Sequence, residues 1–190
     1  MKDISLIGFM GCGKSSVGKI LATLLPEYRL IDLDSYIEEK QGKNITEIFN
    51  EYGEAAFRRM EREALEEIFR DPDRPRAILS LGGGTVTTEE CRRLIRQHTD
   101  CFYLRATTGT LLANLEGHSE GRPMLSSTQP VEASSTEVPS EREALRHRIE
   151  SMMQTRSPQY QSTAHHTIDI DGHTAAQIAA QIATQIAAQI

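Results

Sequence analysis

The chain has 190 residues and a formal net charge of −6, with 21 Lys and Arg against 27 Asp and Glu. This length suits one domain with a substantial core, and the acidic balance argues against a general affinity for nucleic acid or an anionic membrane. The three cysteines have no metal-ligand spacing, no apolar run reaches the roughly 18 residues of a membrane helix, and the N-terminus lacks signal-peptide features. We therefore expect a soluble cytoplasmic protein.

The first motif along the chain is Gly8 to Ser15, which reads G-x-x-x-x-G-K-S. The apolar run Ile4 to Ile7 before it predicts a strand, and Ser16 to Leu25 after it predicts a helix. This context is typical of a phosphate-binding loop, in which backbone N–H groups and a helix N-terminus surround an anion. We expect Lys14 to reach the terminal phosphates of a nucleotide and the Ser15 hydroxyl to be a ligand of Mg²⁺.

Two carboxylates end the second predicted strand, Arg29 to Asp34. Ligands of open parallel sheets bind at the carboxyl edge of the strands, so Asp32 and Asp34 are expected to face the same crevice as the phosphate loop. We expect Asp32 to lie near Mg²⁺ and Asp34 to lie beside the group that attacks phosphorus. The alternative is that both acids cap a helix that begins near Ser35.

A charged helical region follows from Ile45 to Phe69, interrupted at Gly53. Arg58, Glu61 and Arg62 are spaced i, i+3 and i+4, so a helix places them on one surface. Two interpretations stay open for this surface. It is either a solvated face whose charges pair with one another, or an arginine fork for a carboxylate ligand.

The third predicted strand, Ala77 to Leu81, runs directly into three glycines, Gly82 to Gly84. A tight turn needs one or two glycines. A third indicates that another group approaches the backbone closely, with free N–H groups as donors.

Strands and helices continue to alternate beyond the glycines. Thr87 to Glu90 has the pattern of a capping box and predicts a helix from about Thr88 to Gln97. A fourth strand is predicted at Cys101 to Leu104 and a helix at Thr108 to Leu115. This order is typical of βαβ units and a parallel sheet.

Residues 116–140 have no periodicity and are rich in Ser, Thr, Pro and Glu. We interpret them as a mobile excursion that closes over substrate as a lid, with Arg122 as the charge delivered to the phosphates. An unstructured insert without such a role is the alternative.

The C-terminal part begins with a second capping box, Ser140 to Glu143, and a helix predicted to about Thr155 and ended by Arg156 to Tyr160. The last strand is predicted within Ala164 to Ile170. A final helix, Thr174 to Ile190, repeats Ala-Ala-Gln-Ile, and we interpret its isoleucine stripe as a packing face. Pairing with another chain is the alternative, but no flanking charges accompany the stripe, and we expect a monomer.

Several of these motifs recur in a known order. They are Gly8 to Ser15, Asp32 to Asp34, Gly53-Glu54 with Phe57-Arg58 and Glu61, Gly82 to Thr85, Arg122 to Leu125, and Arg156 with Tyr160. From its start to about Tyr160 the chain resembles the shikimate kinase family. The resemblance implies a P-loop nucleoside-monophosphate-kinase-like α/β fold of three layers, α/β/α, with a five-stranded parallel sheet and a mobile lid. It implies one kinase domain over residues 1–190, with a substrate-binding region at 33–61 and the lid at about 116–140.

The resemblance also implies the activity, which is transfer of the γ-phosphoryl group of ATP to the 3-hydroxyl of shikimate, with Mg²⁺, on the route to chorismate and the aromatic amino acids. By position, the implied catalytic residues are Lys14, Asp34 and Arg122. The implied ATP-binding residues are Gly11, Cys12, Gly13, Lys14, Ser15, Ser16 and Arg122. The implied substrate-binding residues are Asp34, Arg58, Gly82, Gly83, Gly84 and Arg156. The implied metal residues are Ser15 and Asp32, the latter through water.

Three alternatives concern the activity itself. One is a catalytically silent relative used for binding, although every acid and cation of the implied site is present. A kinase of the same architecture acting on another small hydroxy acid, such as gluconate, is the nearest one. A GTP-dependent switch is disfavoured, because Asp169 to Gly172 imitates D-x-x-G without an N-K-x-D motif after it. The family often has a basic residue on adenine shortly before the lid arginine, whereas Thr110 to Gly121 contains none. The contact to the base is therefore open.

Overall fold

A computed structural model describes residues 2–116 and 140–188. Its strands are β1 (Asp3–Ile7), β2 (Tyr28–Asp32), β3 (Arg76–Ser80), β4 (Thr99–Arg105) and β5 (His166–Asp169). Its helices are α1 (Lys14–Leu24), α2 (Leu33–Gln41), α3 (Ile45–Arg70), α4 (Glu89–His98), α5 (Thr108–Leu115), α6 (Glu141–Thr163) and α7 (Ala175–Ala187), with a short 3₁₀ helix at Thr85–Thr87.

The five strands form one parallel sheet in the order β2-β3-β1-β4-β5. The register places Ile4 of central β1 opposite Ile78 on one side and Asp100 on the other. Because all carboxyl ends lie at one edge, the loop after β1 has β3 and β2 on one side and β4 and β5 on the other. This confirms the predicted five-stranded parallel sheet.

Helices cover both faces of the sheet, as the alternation of side chains along β1 requires. Ile4 and Leu6 belong to a core with residues of α1, α5 and α7, while Ile7 belongs to a second core with residues of α3 and α4. All three side chains are at most 1% exposed. Burying such a side chain contributes about 1.5–3 kcal/mol, so each core stabilises its own layer. The three-layer α/β/α arrangement is confirmed.

The final helix α7 packs on α1, as its isoleucine stripe predicts. Ile178, Ile182 and Ile186 are buried in the same core as Val17 and Leu21 of α1. Its N-terminus is stabilised by a capping box in which Thr174 and Gln177 bond reciprocally. Ile190 lies outside the described residues.

The end of α6 differs from the prediction. The helix does not stop near Thr155 but continues to Thr163, with Pro158 inside it. A proline in a helix interior removes one hydrogen bond and costs about 3 kcal/mol. Here Arg156, Tyr160 and Thr163 are buried on the same face, and the Thr163 hydroxyl donates to the Gln159 carbonyl at 2.6 Å. These contacts offset the cost and keep Arg156 and Tyr160 one turn apart on a single helix.

The start of α4 is predicted correctly, but the capping box is wrong. Thr88 is the N-cap residue, and its side chain makes no capping hydrogen bond. The Thr87 hydroxyl donates instead to the Gly84 carbonyl at 2.7 Å within the 3₁₀ turn. The Thr87 hydroxyl, which the sequence pattern predicts as a helix cap, therefore stabilises the turn after the triple glycine.

The predicted break in α3 is confirmed at Gly53, which has φ 77° and ψ 171°. The predicted lid, with Arg122, lies outside the described residues except at its two ends. Among the helices of residues 2–116 and 140–188, none is long and apolar enough to cross a membrane.

Candidate active site

The phosphate loop connects β1 to α1 in the conformation that its glycines allow. Gly11 and Gly13 have φ values of 81° and 86°, a region that residues with a Cβ rarely adopt. A Cβ on Gly11 would also lie 2.9 Å from the Leu115 side chain. Since α1 begins at Lys14, the free N–H groups of its first turn, which includes exposed Ser16, point at the space inside the loop.

Lys14 lies along the loop and not in solvent. Its Nζ donates to the carbonyls of Gly8 at 2.9 Å and Phe9 at 3.0 Å, with the buried Cys12 Sγ at 3.7 Å. The side chain is only 8% exposed. A positive charge is thus held, with little water around it, beside the space where an anion fits.

Three oxygen-bearing side chains meet at the ends of α1, β2 and β3. The Ser15 hydroxyl donates to Asp32 Oδ2 at 2.9 Å and lies 3.3 Å from the Ser80 hydroxyl. Asp32 is also the N-cap of α2, because its Oδ1 accepts the Ser35 N–H at 3.4 Å. Both interpretations of this acid are therefore correct: it caps a helix and it faces the loop.

This group suits Mg²⁺ better than a metal that needs a full protein cage. Within the described ranges, no three His, Cys, Asp or Glu side chains are arranged to hold a metal. Mg²⁺ usually takes one or two protein oxygens and completes its octahedron with phosphate oxygens and water. A hydroxyl at Ser15 and a carboxylate at Asp32 fit that pattern.

Asp34 lies in the first turn of α2, because β2 ends at Asp32 and not at Asp34 as predicted. Its Oδ1 is buried without a hydrogen-bond partner in the part of the chain that the structure describes. The same atom would lie 2.9 Å from a Cβ on Gly82. A buried acceptor without a donor is rare in proteins and is a candidate site for an external donor such as a hydroxyl.

The surroundings of Asp34 raise its pKa to about 7. Burial makes the largest contribution, and the negative charges of Glu61 and Asp32 add to it, while Lys14 and Arg58 act in the opposite direction. A carboxyl group with this pKa can accept a proton near neutral pH. Such a shift beside a phosphate loop is typical of a functional acid or base.

Arg58 on α3 is held by two acids of the same helix. It donates to Glu54 Oε1 at 3.0 Å and to Glu61 Oε2 at 2.5 Å. Glu61 is fully buried and accepts the Thr85 hydroxyl at 2.5 Å through its other oxygen. Burial raises the pKa of Glu61, and the Arg58 charge opposes this rise. The orientation of the Arg58 guanidinium is therefore fixed beside Gly84 of the triple glycine.

Arg62, four residues after Arg58 on the same helix, does not join this cluster. It pairs with Glu66 at 3.0 Å, and both side chains are about one-third exposed, at 34% and 35%. The self-paired interpretation therefore fits Arg62, while Arg58 is both paired and placed beside the glycines.

At each of the three consecutive glycines, a side chain would be sterically unfavourable. A Cβ on Gly82 would lie 2.9 Å from Asp34 and 3.0 Å from Glu61, and one on Gly84 would overlap the Arg58 guanidinium. A Cβ on Gly83 would lie 3.1 Å from the backbone nitrogen of Met10. Real Cβ atoms essentially never make contacts below 3.0 Å, as at Gly82 and Gly84, and the 3.1 Å contact at Gly83 would be unusually tight. The loop therefore brings two carboxylates, an arginine and the phosphate loop together.

Arg156 reaches the same loop from α6. It is 6% exposed, and its Nη1 lies 3.4 Å from the Gly83 carbonyl oxygen. Its guanidinium also lies over the Phe9 ring, 6.0 Å from the centroid. Two cations, Arg58 and Arg156, therefore flank the glycine loop at Gly84 and Gly83.

The contacts above place the predicted site residues that the structure describes around the phosphate loop and the triple glycine. Arg122 lies outside the described residues. Four contacting residues were absent from the predicted site: Ser80, Glu61, Tyr160 and Asn114. The i+3 spacing from Arg58 was the available signal for Glu61. Asn114 donates to the Gly11 carbonyl at 2.9 Å and has no sequence signal, because a single Asn in a helix marks no chemistry.

A phosphate loop after the central strand, with Asp32 at the end of β2 and Asp34 in the first turn of α2, is typical of a P-loop kinase. The shikimate kinase model matches residues 10–187 of this chain. A shikimate kinase from Chlorobium phaeovibrioides is 42% identical over 170 residues, 85% of this chain and 76% of that protein. One from Dictyoglomus turgidum is 34% identical over 178 residues, 93% of this chain and 92% of that protein. The chain belongs to the shikimate kinase family.

A solved structure agrees in fold. A shikimate kinase from Acinetobacter baumannii in complex with shikimate is 29% identical, and the comparison covers 100% of this chain and 94% of that one with a TM-score of 0.84. The similarity extends over the whole sheet and its helices and not over the phosphate loop alone.

Proposed function

We infer that the chain catalyses transfer of the γ-phosphoryl group of ATP to the 3-hydroxyl of shikimate, which yields shikimate 3-phosphate and ADP. Family membership supports the substrate and the co-substrate. The single observation that carries the chemistry is the meeting, in one cleft, of a phosphate loop, the unpartnered Asp34 carboxyl and two arginines at a triple glycine. The product belongs to the route to chorismate and the aromatic amino acids.

On the donor side, we propose that Gly11 to Ser16 bind the phosphates of ATP through backbone N–H groups and side chains. Phosphoryl transfer through a loose transition state requires alignment and positive charge around the phosphoryl oxygens more than covalent help. Lys14 supplies such a charge from a site with little water, where it acts more strongly than in solvent. Arg122, assigned from the family pattern, would add a second cation.

We propose that Ser15 and, through water, Asp32 hold the Mg²⁺ that accompanies ATP. When bound, the ion neutralises phosphate charge and orients the phosphate chain. The hydroxyl of Ser15 would turn its lone pairs toward the ion, while the capping bond to Ser35 keeps Asp32 fixed at the end of β2.

On the acceptor side, Asp34 accepts a hydrogen bond from the attacking hydroxyl through its unpartnered oxygen. It aligns the hydroxyl oxygen with phosphorus and takes the proton as the new O–P bond forms, while the bond from phosphorus to the ADP oxygen breaks. Because the nucleophile is deprotonated late in a loose transition state, a carboxylate is basic enough for this role.

The acceptor is oriented by its own carboxylate. Arg58 and Arg156 bind that group with charge-assisted hydrogen bonds, and Glu61 with Glu54 keep the Arg58 fork in place. Gly82 to Gly84 let the ring approach the backbone. In this proposal residues 33–61 form the substrate-binding region of a single kinase domain that acts as a cytoplasmic monomer.

A coupled assay of ADP release tests the proposed function. With Mg²⁺ and ATP, shikimate should give sustained turnover, and gluconate should give no more than the rate without an acceptor. Turnover of gluconate without turnover of shikimate would overturn the assignment.

A further inference from the structure

A buried tyrosine on α6, Tyr160, contacts the glycine loop at Gly83. Tyr160 is fully buried, and its Oη donates to the carbonyl oxygen of Gly83 at 2.5 Å. Its ring stacks on Tyr103 of β4, with centroids 5.0 Å apart and an interplanar angle of 23°. The hydroxyl is therefore fixed by packing on a rigid helix and strand.

The same carbonyl receives a second, weaker donor. Arg156 Nη1 lies 3.4 Å from the Gly83 oxygen, near the limit of a hydrogen bond. If Arg156 turns to the carboxylate of a bound acceptor, the Gly83 carbonyl still keeps the short bond from Tyr160. Tyr160 therefore holds the loop whether or not Arg156 binds the acceptor carboxylate.

Holding this carbonyl also fixes the next N–H group. The peptide bond between Gly83 and Gly84 is planar and trans, so the Gly84 N–H points away from the side to which the Gly83 oxygen points. Glycine has no Cβ, so both orientations of this peptide are sterically available to the loop. Tyr160 selects the orientation in which the Gly83 oxygen faces α6 and the Gly84 N–H faces the opposite side of the peptide.

That N–H group is available to a ligand. None of the hydrogen bonds found within residues 2–116 and 140–188 uses the N–H of Gly83 or Gly84. The loop also packs on the phosphate loop, since a Cβ on Gly83 would lie 3.1 Å from the Met10 nitrogen and 3.6 Å from the Gly8 oxygen. The position of Gly83 thus sets the spacing between the acceptor side and the phosphate side.

We propose that Tyr160 is a positioning residue for the acceptor. Its hydroxyl holds the Gly83–Gly84 peptide so that the Gly84 N–H donates to an oxygen of the bound acceptor. This inference rests on the proposed function, because the acceptor in question is shikimate.

Kinetic comparison of Tyr160→Phe with Tyr103→Phe tests the proposal. Both substitutions keep the stacked rings and remove one hydroxyl, but of the two hydroxyls only that of Tyr160 bonds to the glycine loop within the described residues. For Tyr160→Phe we expect KM for shikimate to rise about tenfold while KM for ATP stays within about twofold, as for loss of one oriented hydrogen bond. Tyr103→Phe should stay near wild type in both.

The outcomes separate the two claims. If the wild type does not phosphorylate shikimate, the proposed function fails. If the wild type does so and Tyr160→Phe matches Tyr103→Phe, or raises both KM values equally, the positioning role is wrong.

A second measurement needs no variant. The chain has 13 glycines, and only Gly82, Gly83 and Gly84 are consecutive. With glycine labelled by ¹³C at the carbonyl and by ¹⁵N, an HNCO spectrum therefore contains signals only from the N–H groups of Gly83 and Gly84. Saturating shikimate should shift the Gly84 signal. If neither signal moves, the proposed hydrogen bond is absent and the proposal is overturned.

Discussion

Asp34 loses most of its contact with water where it packs against Gly82, and Glu61 and Asp32 add negative charge nearby. Lys14 and Arg58 act in the opposite direction, so its pKa settles at about 7. Within the described residues, burial leaves Asp34 Oδ1 without a partner. The same burial raises the pKa of the group to near neutral pH, where a general base acts.

This acidity predicts a pH profile. If Asp34 is the base, as we propose, it acts only when ionised, so kcat/KM for shikimate should rise by about tenfold per pH unit below pH 7 and level off above it. Asp34→Asn should lower kcat by about 10²-fold or more and remove that limb, while ADP affinity by calorimetry stays unchanged. A variant with wild-type kcat would exclude Asp34 as the base.

The role of Arg58 can be tested by substitution, with Arg62 of the same helix as the control. Arg58→Lys keeps the charge beside buried Glu61 but removes the planar fork, so KM for shikimate should rise about tenfold or more. Arg62→Lys changes an exposed pair and should leave KM within about twofold. Equal effects of the two substitutions in steady-state kinetics would show that Arg58 does not contact the acceptor.

Among the helices and strands, α3 depends on a single backbone conformation. A Cβ on Gly53 would meet no atom of residues 2–116 and 140–188 within 4 Å, so the feature there that requires glycine is its φ of 77° and ψ of 171°. Gly53→Ala should therefore lower the free energy of unfolding by about 1–3 kcal/mol in urea titrations.

The control for this change is Gly109→Ala. Gly109 lies inside α5 without a positive φ, and among the described residues a Cβ there would have only the Thr107 hydroxyl as a neighbour, at 3.9 Å. This substitution should be neutral or stabilising by up to about 1 kcal/mol. If Gly53→Ala is as stable as Gly109→Ala, the break in α3 does not depend on that conformation.

The order of helices and strands could be predicted from the sequence because local signals agree with the fold: apolar runs, the glycine loop, the capping box at Ser140 and the isoleucine stripe of α7. The failures have non-local causes. Pro158 looks like a helix end, but tertiary burial of Tyr160 and Thr163 carries α6 through it. Ser80 and Asn114 enter the site through the register of β3 and the packing of α5, which no spacing in the chain reveals.

For the molecule as a whole, the acidity of Asp34 links catalysis to stability. An acid whose pKa is higher in the folded than in the unfolded state stabilises the fold at low pH and loses that contribution as pH rises from about 4 to about 7. Asp34→Asn should therefore be more stable than wild type at pH 8, and the difference should shrink toward pH 4. Urea titrations at both values measure this. A constant difference would mean that Asp34 is not shifted in the folded protein.

The sheet order divides the molecule into two halves around the phosphate loop. The ends of β2 and β3 present Asp32, Ser80 and the triple glycine, while the ends of β4 and β5 lie on the other side. The acceptor half is thus assembled by parts distant in the chain, from α2, α3, β3 and α6, which meet at Gly82 to Gly84. A transfer reaction needs both halves at a fixed spacing, and the contact of Gly83 with Met10 provides it.

A crystal structure with ADP, Mg²⁺ and shikimate tests the central claim most directly. We expect Arg58 and Arg156 at the shikimate carboxylate and an Asp34 oxygen about 2.6–3.2 Å from the 3-hydroxyl, which faces the phosphate loop. Shikimate bound with its carboxylate away from both arginines, or with the 3-hydroxyl out of reach of Asp34, would contradict it.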